Sequence, residues 1–130
     1  MDSITQAASK APFWETLTES QKRQFAESAR LKTVDERGSI YAPSKGIDVM
    51  HYVVSGRVKV CRYFGDLREI IIDLVPEDKF ISFQPILDVP DQIEYADSVF
   101  PSTVIQVSAS LIKGFMNENA AFSAIMFQQL

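Results

Sequence analysis

The sequence has little of the residue types on which disulfide frameworks and metal centres depend. Of its 130 residues, one is cysteine and one is histidine. The single cysteine, Cys61, excludes a disulfide within this sequence and is typical of the reducing cytoplasm, and on a strand it is interpreted as a small core residue. The single histidine, His51, cannot supply the several imidazole ligands of a cupin-type metal centre, and we expect it to decorate a strand end. The sequence therefore predicts no metal and no cofactor.

Several other signatures of function are missing. No G-x-G-x-x-G or Walker pattern occurs, and no nucleophile lies beside a candidate base, so we expect no enzymatic activity. The acidic residues near position 90 are interpreted as a solvated rim: Asp88, Asp91, Glu94 and Asp97. A net charge of -4 argues against nucleic-acid binding by this chain itself. No signal-peptide pattern and no apolar run long enough to span a membrane is found, which predicts a cytoplasmic protein.

One stretch predicts a complete antiparallel hairpin. Its strands are Tyr52–Val60 and Arg68–Val75, and the turn between them is Phe64-Gly65-Asp66-Leu67. Gly65 can adopt the left-handed backbone angle that a tight reversal needs. Alternation predicts two groups of inward-facing residues, Val58 and Val60 on the first strand and Ile70, Ile72 and Leu74 on the second. Gly56, inside the first run, predicts a bend or a close backbone approach.

Helices are predicted on both sides of a strand-rich centre. Residues 1–12 are small and polar, and we expect them to be flexible. Thr18 and Gln21 form a capping box that begins a helix ending near Ala29. Ser108 caps a helix over 109–116, and Asn119 caps a further helix over 120–130. The apolar stripe of that last helix is Phe122, Ile125, Met126 and Leu130.

Between the helices the chain favours eight short strands. They are predicted at 31–35, 39–42, 50–54, 57–62, 68–74, 79–83, 94–99 and 103–108, with residues 85–91 as a loop or single turn. Strands at this spacing are typical of a barrel or a two-sheet jelly roll. The fold class is therefore mainly β, a double-stranded β-helix or jelly roll with flanking helices, in one domain over residues 13–130.

This organisation resembles the effector domain of the cyclic-AMP receptor (Crp/Fnr) family of bacterial transcription regulators. The resemblance is carried by Gly38–Tyr41, Tyr52–Val60, Arg68–Ile70, Pro76–Asp78 and Ser108–Asn119. It implies a cyclic nucleotide-binding-like β-roll whose last helix is a dimer interface, leading into a helix-turn-helix DNA-binding domain. That second domain is not contained in these residues. The expected partners are thus a second copy of the chain and, only through a further domain, DNA.

The cyclic nucleotide site of that family is where the sequence departs from the pattern. The Gly-Glu pair that holds ribose and phosphate is missing after Asp78, and aligning on Ala96 places Glu94 where a phosphate-binding arginine is expected. No arginine follows Arg68, so ordinary cyclic nucleotide binding is not expected. The predicted ligand pocket is suited to an apolar effector or to filling by side chains. It comprises Phe80, Ser82, Phe83, Ile86, Leu87, Glu94, Tyr95 and Ala96.

Besides an enzyme of cupin type, which would require a bound metal, the sequence leaves two functions open. The first is the allosteric sensor domain of a Crp/Fnr-like transcription regulator, in which an effector biases the last helix. The second is a stand-alone β-roll module that binds a small molecule or a protein and has no DNA role. For the last helix, burial in the chain's own core and contact with a partner are both compatible with its stripe.

Overall fold

The computed structural model describes residues 3–44, 48–64, 68–81 and 94–129. Four α-helices flank five strands in the described residues, together with one 3-10 turn at Trp14–Thr16. The elements are α1 (Ser3–Ala8), α2 (Glu19–Ser28), β1 (Arg30–Val34), β2 (Ser39–Ser44), β3 (Val49–Phe64), β4 (Arg68–Val75), β5 (Glu94–Ser108), α3 (Ala109–Glu118) and α4 (Ala120–Gln128).

The N-terminal segment is packed where the sequence led us to expect flexibility. Residues 3–8 form α1, and Ala8 and Ala11 are 0% and 4% exposed. Alanine has no rotamer freedom to lose on burial, so small residues can seat a short segment closely against the core at low entropic cost. Residues 3–12 thus contain a short helix and two buried alanines, although the sequence predicts a flexible segment over residues 1–12.

Local capping determines the helix starts as the sequence predicts. The Thr18 hydroxyl accepts from the Gln21 backbone N–H at 3.1 Å, and the Gln21 side chain accepts from the Thr18 N–H at 3.0 Å. Ser108 caps α3 by accepting from Leu111, and Asn119 caps α4 by accepting from Phe122. These side chains satisfy backbone donors that the first helical turn leaves without intrahelical partners.

The predicted strands merge into fewer and longer ones. All described strands form one antiparallel sheet in the order β1-β5-β3-β4, with β2 also paired to β5. β3 covers the predicted strands 50–54 and 57–62, and β5 covers 94–99 and 103–108. The strand predicted at 79–83 is represented by one bridge between Phe80 and Tyr52, and residues 82 and 83 lie outside the described part. The mainly β fold with flanking helices is confirmed.

Long strands can enclose a core only if they bend, and β3 bends near Gly56. The pairing of β3 with β5 shifts register three times between Val53 and Val58. Gly56 has φ +96°, and a Cβ at this position would meet the Ser102 hydroxyl and lie 2.6 Å from the Pro101 carbonyl oxygen. Only glycine fits this close approach, which confirms the predicted role of Gly56.

β4 differs from its predicted pattern. Val60 pairs with Asp73 and Cys61 pairs with Ile71, so Ile72 is an extra residue in a β-bulge. The bulge reverses the alternation along β4: Ile70 pairs with Arg62 and Leu74 pairs with Lys59, on opposite faces of the sheet. Ile70, Ile71, Ile72 and Leu74 are 41–54% exposed. The common inward face predicted for Ile70, Ile72 and Leu74 is therefore wrong, because they do not share one face and none is buried, whereas Val58 and Val60 are buried as predicted.

The buried side chains form two clusters on the two sides of the sheet. The first joins the helices to the sheet around Phe13, whose ring lies 5.1–6.0 Å from four other rings: Phe25, Tyr52, Phe80 and Phe122. The second fills the opposite side with small aliphatic residues, among them Val53, Val58, Val60, Ala96 and Val104. Alternation along β3 and β5 places successive residues in different clusters. We call the side that carries the second cluster, opposite the helices, the interior.

Candidate functional site

Half of the predicted pocket lies outside the described residues, namely Ser82, Phe83, Ile86 and Leu87. The other four residues are buried, but they do not line one pocket. Phe80 packs in the helix cluster, and Ala96 packs in the interior. Tyr95 points away from Glu94 and Ala96 because neighbouring strand residues face opposite sides. Of the four, Glu94 and Ala96 therefore share a face of β5.

Glu94 is a buried carboxylate with polar neighbours on both adjoining strands. It is 2% exposed. The Tyr41 hydroxyl donates a 2.6 Å hydrogen bond to Glu94 Oε2. On the other side, the Arg62 guanidinium lies 4.0 Å from Glu94 Oε1, because Arg62 is opposite Glu94 in the pairing of β3 with β5. The carboxylate is thus held by a hydroxyl and faces a cation.

Arg62 changes the expectation that no arginine serves this part of the sheet. No arginine follows Arg68 in the sequence, but the guanidinium beside Glu94 comes from Arg62 on β3. Arg62 Nε is buried and is the only buried side-chain polar atom without a hydrogen-bond partner among the described residues. The side chain as a whole is 37% exposed. This arginine already faces the carboxylate of Glu94.

A second group of polar side chains continues from Tyr41 across the interior. The Tyr41 ring packs on the His51 ring, with centroids 5.1 Å apart and planes inclined by 31°. Gln106 Nε2 lies 3.2 Å from His51 Nε2. An amide nitrogen only donates, so His51 Nε2 accepts and the ring proton is on Nδ1. We call Gln106, His51, Tyr41, Glu94 and Arg62 the polar row.

His51 is buried, contrary to the expectation that it decorates a strand end. It is 4% exposed, and burial together with the nearby Lys32 lowers its pKa to about 4. The imidazole is therefore neutral at physiological pH. Sequence alternation with the buried Val53 could have placed His51 in the interior, but nothing local indicated its contact with Tyr41.

The opposite face of the sheet holds Cys61, Tyr95 and Glu69. Cys61 is 0% exposed, and burial raises the pKa of its thiol. Burial, together with hydrogen bonds to Glu69 and Cys61, raises the pKa of the Tyr95 phenol. Both groups are neutral at physiological pH, so the thiolate needed for redox chemistry is disfavoured. The interpretation of Cys61 as a small core residue is confirmed by its burial.

A groove of about 490 Å³ opens at the Gln106 end of the polar row. Its polar lining residues are Ser28, Arg30, Tyr41, Asp48, His51, Gln106 and Ser108, and its apolar lining residues are Ile40, Ala42, Val49 and Val107. A concave surface of this size with a few convergent polar groups is typical of small-molecule sites. Of these residues, Tyr41 contacts a residue of the predicted pocket, through its hydrogen bond to Glu94.

The predicted dimer interface is largely inside the chain's own core. Phe122 and Met126 are 0% and 1% exposed, and Leu130 lies outside the described residues. Ile125 is half-buried and packs against the helix cluster. As placed, Phe122 and Met126 cannot contact a partner, because both are covered by the same chain. Phe127, which the prediction omitted, is 58% exposed.

No group of three or more His, Cys, Asp or Glu side chains in the described part of the chain is arranged to hold a metal ion. None of the helices in that part of the chain has the length and hydropathy needed to cross a lipid bilayer.

Comparison with known proteins finds similarity in structure but not in sequence. No protein-family model matches the chain, and no curated protein matches it. The sensor domain of the transcriptional regulator DNR from Pseudomonas aeruginosa matches with a TM-score of 0.76 and 17% identity, over 95% of this chain and 83% of that one. A DNR structure from the same organism matches with a TM-score of 0.79 and 18% identity. That match covers 99% of this chain and 57% of the DNR chain.

A further match is a protein from Eubacterium rectale assigned to the Crp/Fnr family of transcriptional regulators. Its TM-score is 0.74 at 15% identity, over 91% of this chain and 56% of that one. The chain thus spans a little over half the length of these two longer proteins. Identities this low establish the fold alone. The chain has the cyclic nucleotide-binding-like β-roll fold of Crp/Fnr sensor domains, as its sequence pattern predicts.

Proposed function

We propose that this chain is a non-catalytic, cytoplasmic effector domain of a Crp/Fnr-like transcription regulator, and that it does not bind cyclic nucleotides in the usual way. The fold supports the regulatory part of this proposal. The observation that carries the second part is the buried carboxylate of Glu94, which faces the Arg62 guanidinium and is fixed by Tyr41. An internal carboxylate thus takes the place that an anionic ligand would occupy on this arginine.

The electrostatic cost of replacing that carboxylate by a phosphate supports the same conclusion. A phosphate that reached Arg62 would lie near Glu94 as well. Two like charges about 4 Å apart repel by roughly 4 kcal/mol at an effective dielectric constant near 20. That energy corresponds to about a thousandfold in affinity. Arg62 would attract the phosphate, but together with Glu94 it forms a pair without net charge, so an anion gains little at this position.

The last helix is bonded to the rest of the domain near both of its ends, as an allosteric output requires. Asn119 Nδ2 donates to the Thr16 carbonyl at 2.7 Å and to Gln21 Oε1 at 2.9 Å. At the other end, Gln129 Oε1 accepts from the backbone N–H of Phe80 at 3.1 Å. A change in the sheet near Phe80 would therefore act on α4 directly. In this proposal, α4 and the residues after it form the homodimer and position DNA-binding domains that lie outside this sequence.

The cyclic nucleotide part is tested by thermal unfolding with millimolar cyclic AMP or cyclic GMP. Ligand at 100 times its dissociation constant would add about 2.7 kcal/mol, a shift of roughly 10 °C for a domain of this size. We expect no shift for the wild type. Glu94→Gln removes the repulsive charge and retains the shape, so this variant should gain affinity for the same ligands. A clear shift of the wild-type protein would contradict the proposed role of Glu94.

The regulatory part is tested on the natural gene product. We expect its reading frame to continue past Leu130 into a helix-turn-helix segment, and the purified product to retard duplex DNA from its own promoter region. A gene product without any DNA-binding segment would instead favour the alternative of a stand-alone module.

A further inference from the structure

The groove at the Gln106 end of the polar row lies between two strands that present opposite charges. Arg30 pairs with Gln106 on one side of β5, and Val49 pairs with Ser108 on the other. Arg30 and Asp48 are thus on opposite walls, with the end of β5 between them. Both side chains are exposed and both line the groove.

The charges of Arg30 and Asp48 do not neutralise one another. No ion pair joins Arg30 to Asp48 among the described residues. Asp48 is held in place by the Ser110 hydroxyl, at 3.2 and 3.3 Å from its two oxygens. A hydroxyl donor fixes the carboxylate without neutralising it. The groove therefore keeps one cation and one anion on facing walls.

The surface between these charges is uncharged. Four of its side chains are aliphatic or small: Ile40, Ala42, Val49 and Val107. The aromatic contribution comes from Tyr41 and the neutral ring of His51. Gln106 and the two serines, Ser28 and Ser108, add neutral hydrogen-bonding groups at the edges. A ligand with a single strong charge would meet one matching and one opposing wall.

We propose that this groove binds a small zwitterion of the aliphatic α-amino acid class, with its carboxylate on Arg30 and its ammonium on Asp48. Guanidinium and carboxylate groups are the side-chain partners that suit these two charges, and the uncharged lining suits an aliphatic side chain. This inference rests on the proposed function for its biological meaning, since it identifies the effector class. The binding itself is independent of the Glu94 argument.

The groove is also joined to the start of the C-terminal helices. The backbone N–H of Ala109 donates to the Asp48 carbonyl at 3.1 Å, and Ser110 in the first turn of α3 holds the Asp48 carboxylate. Ser108, which lines the groove, is the N-cap of α3. An ammonium group on Asp48 would share the carboxylate oxygens with the Ser110 hydroxyl. A ligand in the groove would therefore affect the contacts of the first turn of α3.

The test is calorimetric titration of the wild-type chain with L-leucine, and with isocaproate and isopentylamine, which each lack one of its two charges. We expect leucine to bind at sub-millimolar to millimolar concentration, and each analogue to bind at least tenfold more weakly. Arg30→Gln and Asp48→Asn should each weaken leucine binding by at least tenfold. Arg23→Gln, which changes an exposed arginine of α2 outside the groove, should change it by less than twofold.

The outcomes separate this inference from the proposed function. No heat with leucine, equal binding of the singly charged analogues, or binding unaffected by both Arg30→Gln and Asp48→Asn would each overturn the groove assignment. None of these results alters the response to cyclic nucleotides or the presence of a DNA-binding segment. Circular dichroism of the variants checks that the fold is retained, as expected for substitutions of exposed side chains.

Discussion

Tyr41 and Arg62 flank the same buried carboxylate, and the structure predicts that they contribute very different amounts to stability. Tyr41 donates a short, charge-assisted hydrogen bond of 2.6 Å to Glu94. Such bonds contribute about 1.5–3 kcal/mol. The Arg62 contact is 4.0 Å long and involves a side chain that is 37% exposed, so solvent screens it. Ion pairs of that kind contribute about 0–1 kcal/mol.

The perturbation is Tyr41→Phe, compared with Arg62→Gln. Phenylalanine keeps the ring that packs on His51 and removes only the hydroxyl, which leaves a buried carboxylate short of a donor. We expect Tyr41→Phe to lower the free energy of unfolding by about 2 kcal/mol, and Arg62→Gln by less than about 1 kcal/mol. In urea, with an m-value of about 1.5 kcal/mol per molar, the first loss moves the midpoint down by more than 1 M.

The assay is urea unfolding followed by circular dichroism and by the fluorescence of Trp14, the only tryptophan. A double-mutant cycle of Tyr41→Phe with Glu94→Gln separates the hydroxyl–carboxylate bond from the other contacts of Tyr41. A coupling energy near zero, or a larger loss for Arg62→Gln than for Tyr41→Phe, would refute the reasoning. It would mean that the ion pair, and not the hydroxyl, holds the buried carboxylate.

Three other predictions concern pH, the exposed strand and the last helix. The pKa of His51 is lowered to about 4 in the folded chain, so protonation of this ring favours the unfolded chain as the pH falls below about 6.5. Between pH 7 and pH 4 the free energy of unfolding should fall by roughly 3 kcal/mol on this account. The measurement is the change in urea midpoint of the wild type over this pH range, compared with that of His51→Gln, which lacks the titrating ring. Ile72→Lys, at a position 41% exposed, should change the free energy of unfolding in urea by less than about 0.5 kcal/mol; a loss of several kcal/mol would place Ile72 in the core. Met126→Asp should unfold the domain because Met126 is buried, whereas Phe127→Asp, at an exposed position, should leave the circular dichroism spectrum unchanged. A folded Met126→Asp variant would instead support the prediction that Met126 faces a partner.

Features that depend on a few adjacent residues could be predicted from the sequence. The caps at Thr18, Ser108 and Asn119 are examples, because a capping side chain bonds to a backbone group only two or three residues away. The bend at Gly56 follows from a single residue whose lack of a Cβ is needed. The fold class followed from the spacing of such local features along the chain.

Features that depend on register between distant strands could not be predicted. The bulge at Ile72 has no signature in REIIIDLV, since every residue of that run is compatible with regular alternation. The partnership of Arg62 with Glu94 requires the pairing of β3 with β5, which joins residues 32 positions apart in the sequence. Without that register, the sequence indicated a carboxylate in place of an arginine but could not show which cation it would meet.

The polar row connects the buried carboxylate of Glu94 with the proposed amino-acid groove. At one end Glu94 faces Arg62, and at the other His51 and Gln106 border the groove. Tyr41 is common to both, because its hydroxyl bonds to Glu94 while its ring packs on His51. A ligand that shifts the Tyr41 ring in the groove must therefore lengthen or reorient the bond to Glu94. A buried carboxylate that loses a hydrogen-bond donor is destabilised, so the polar row opposes this shift of Tyr41. A ligand can therefore change the balance between the arrangements with and without the Tyr41–Glu94 bond only by the difference in its affinity for them.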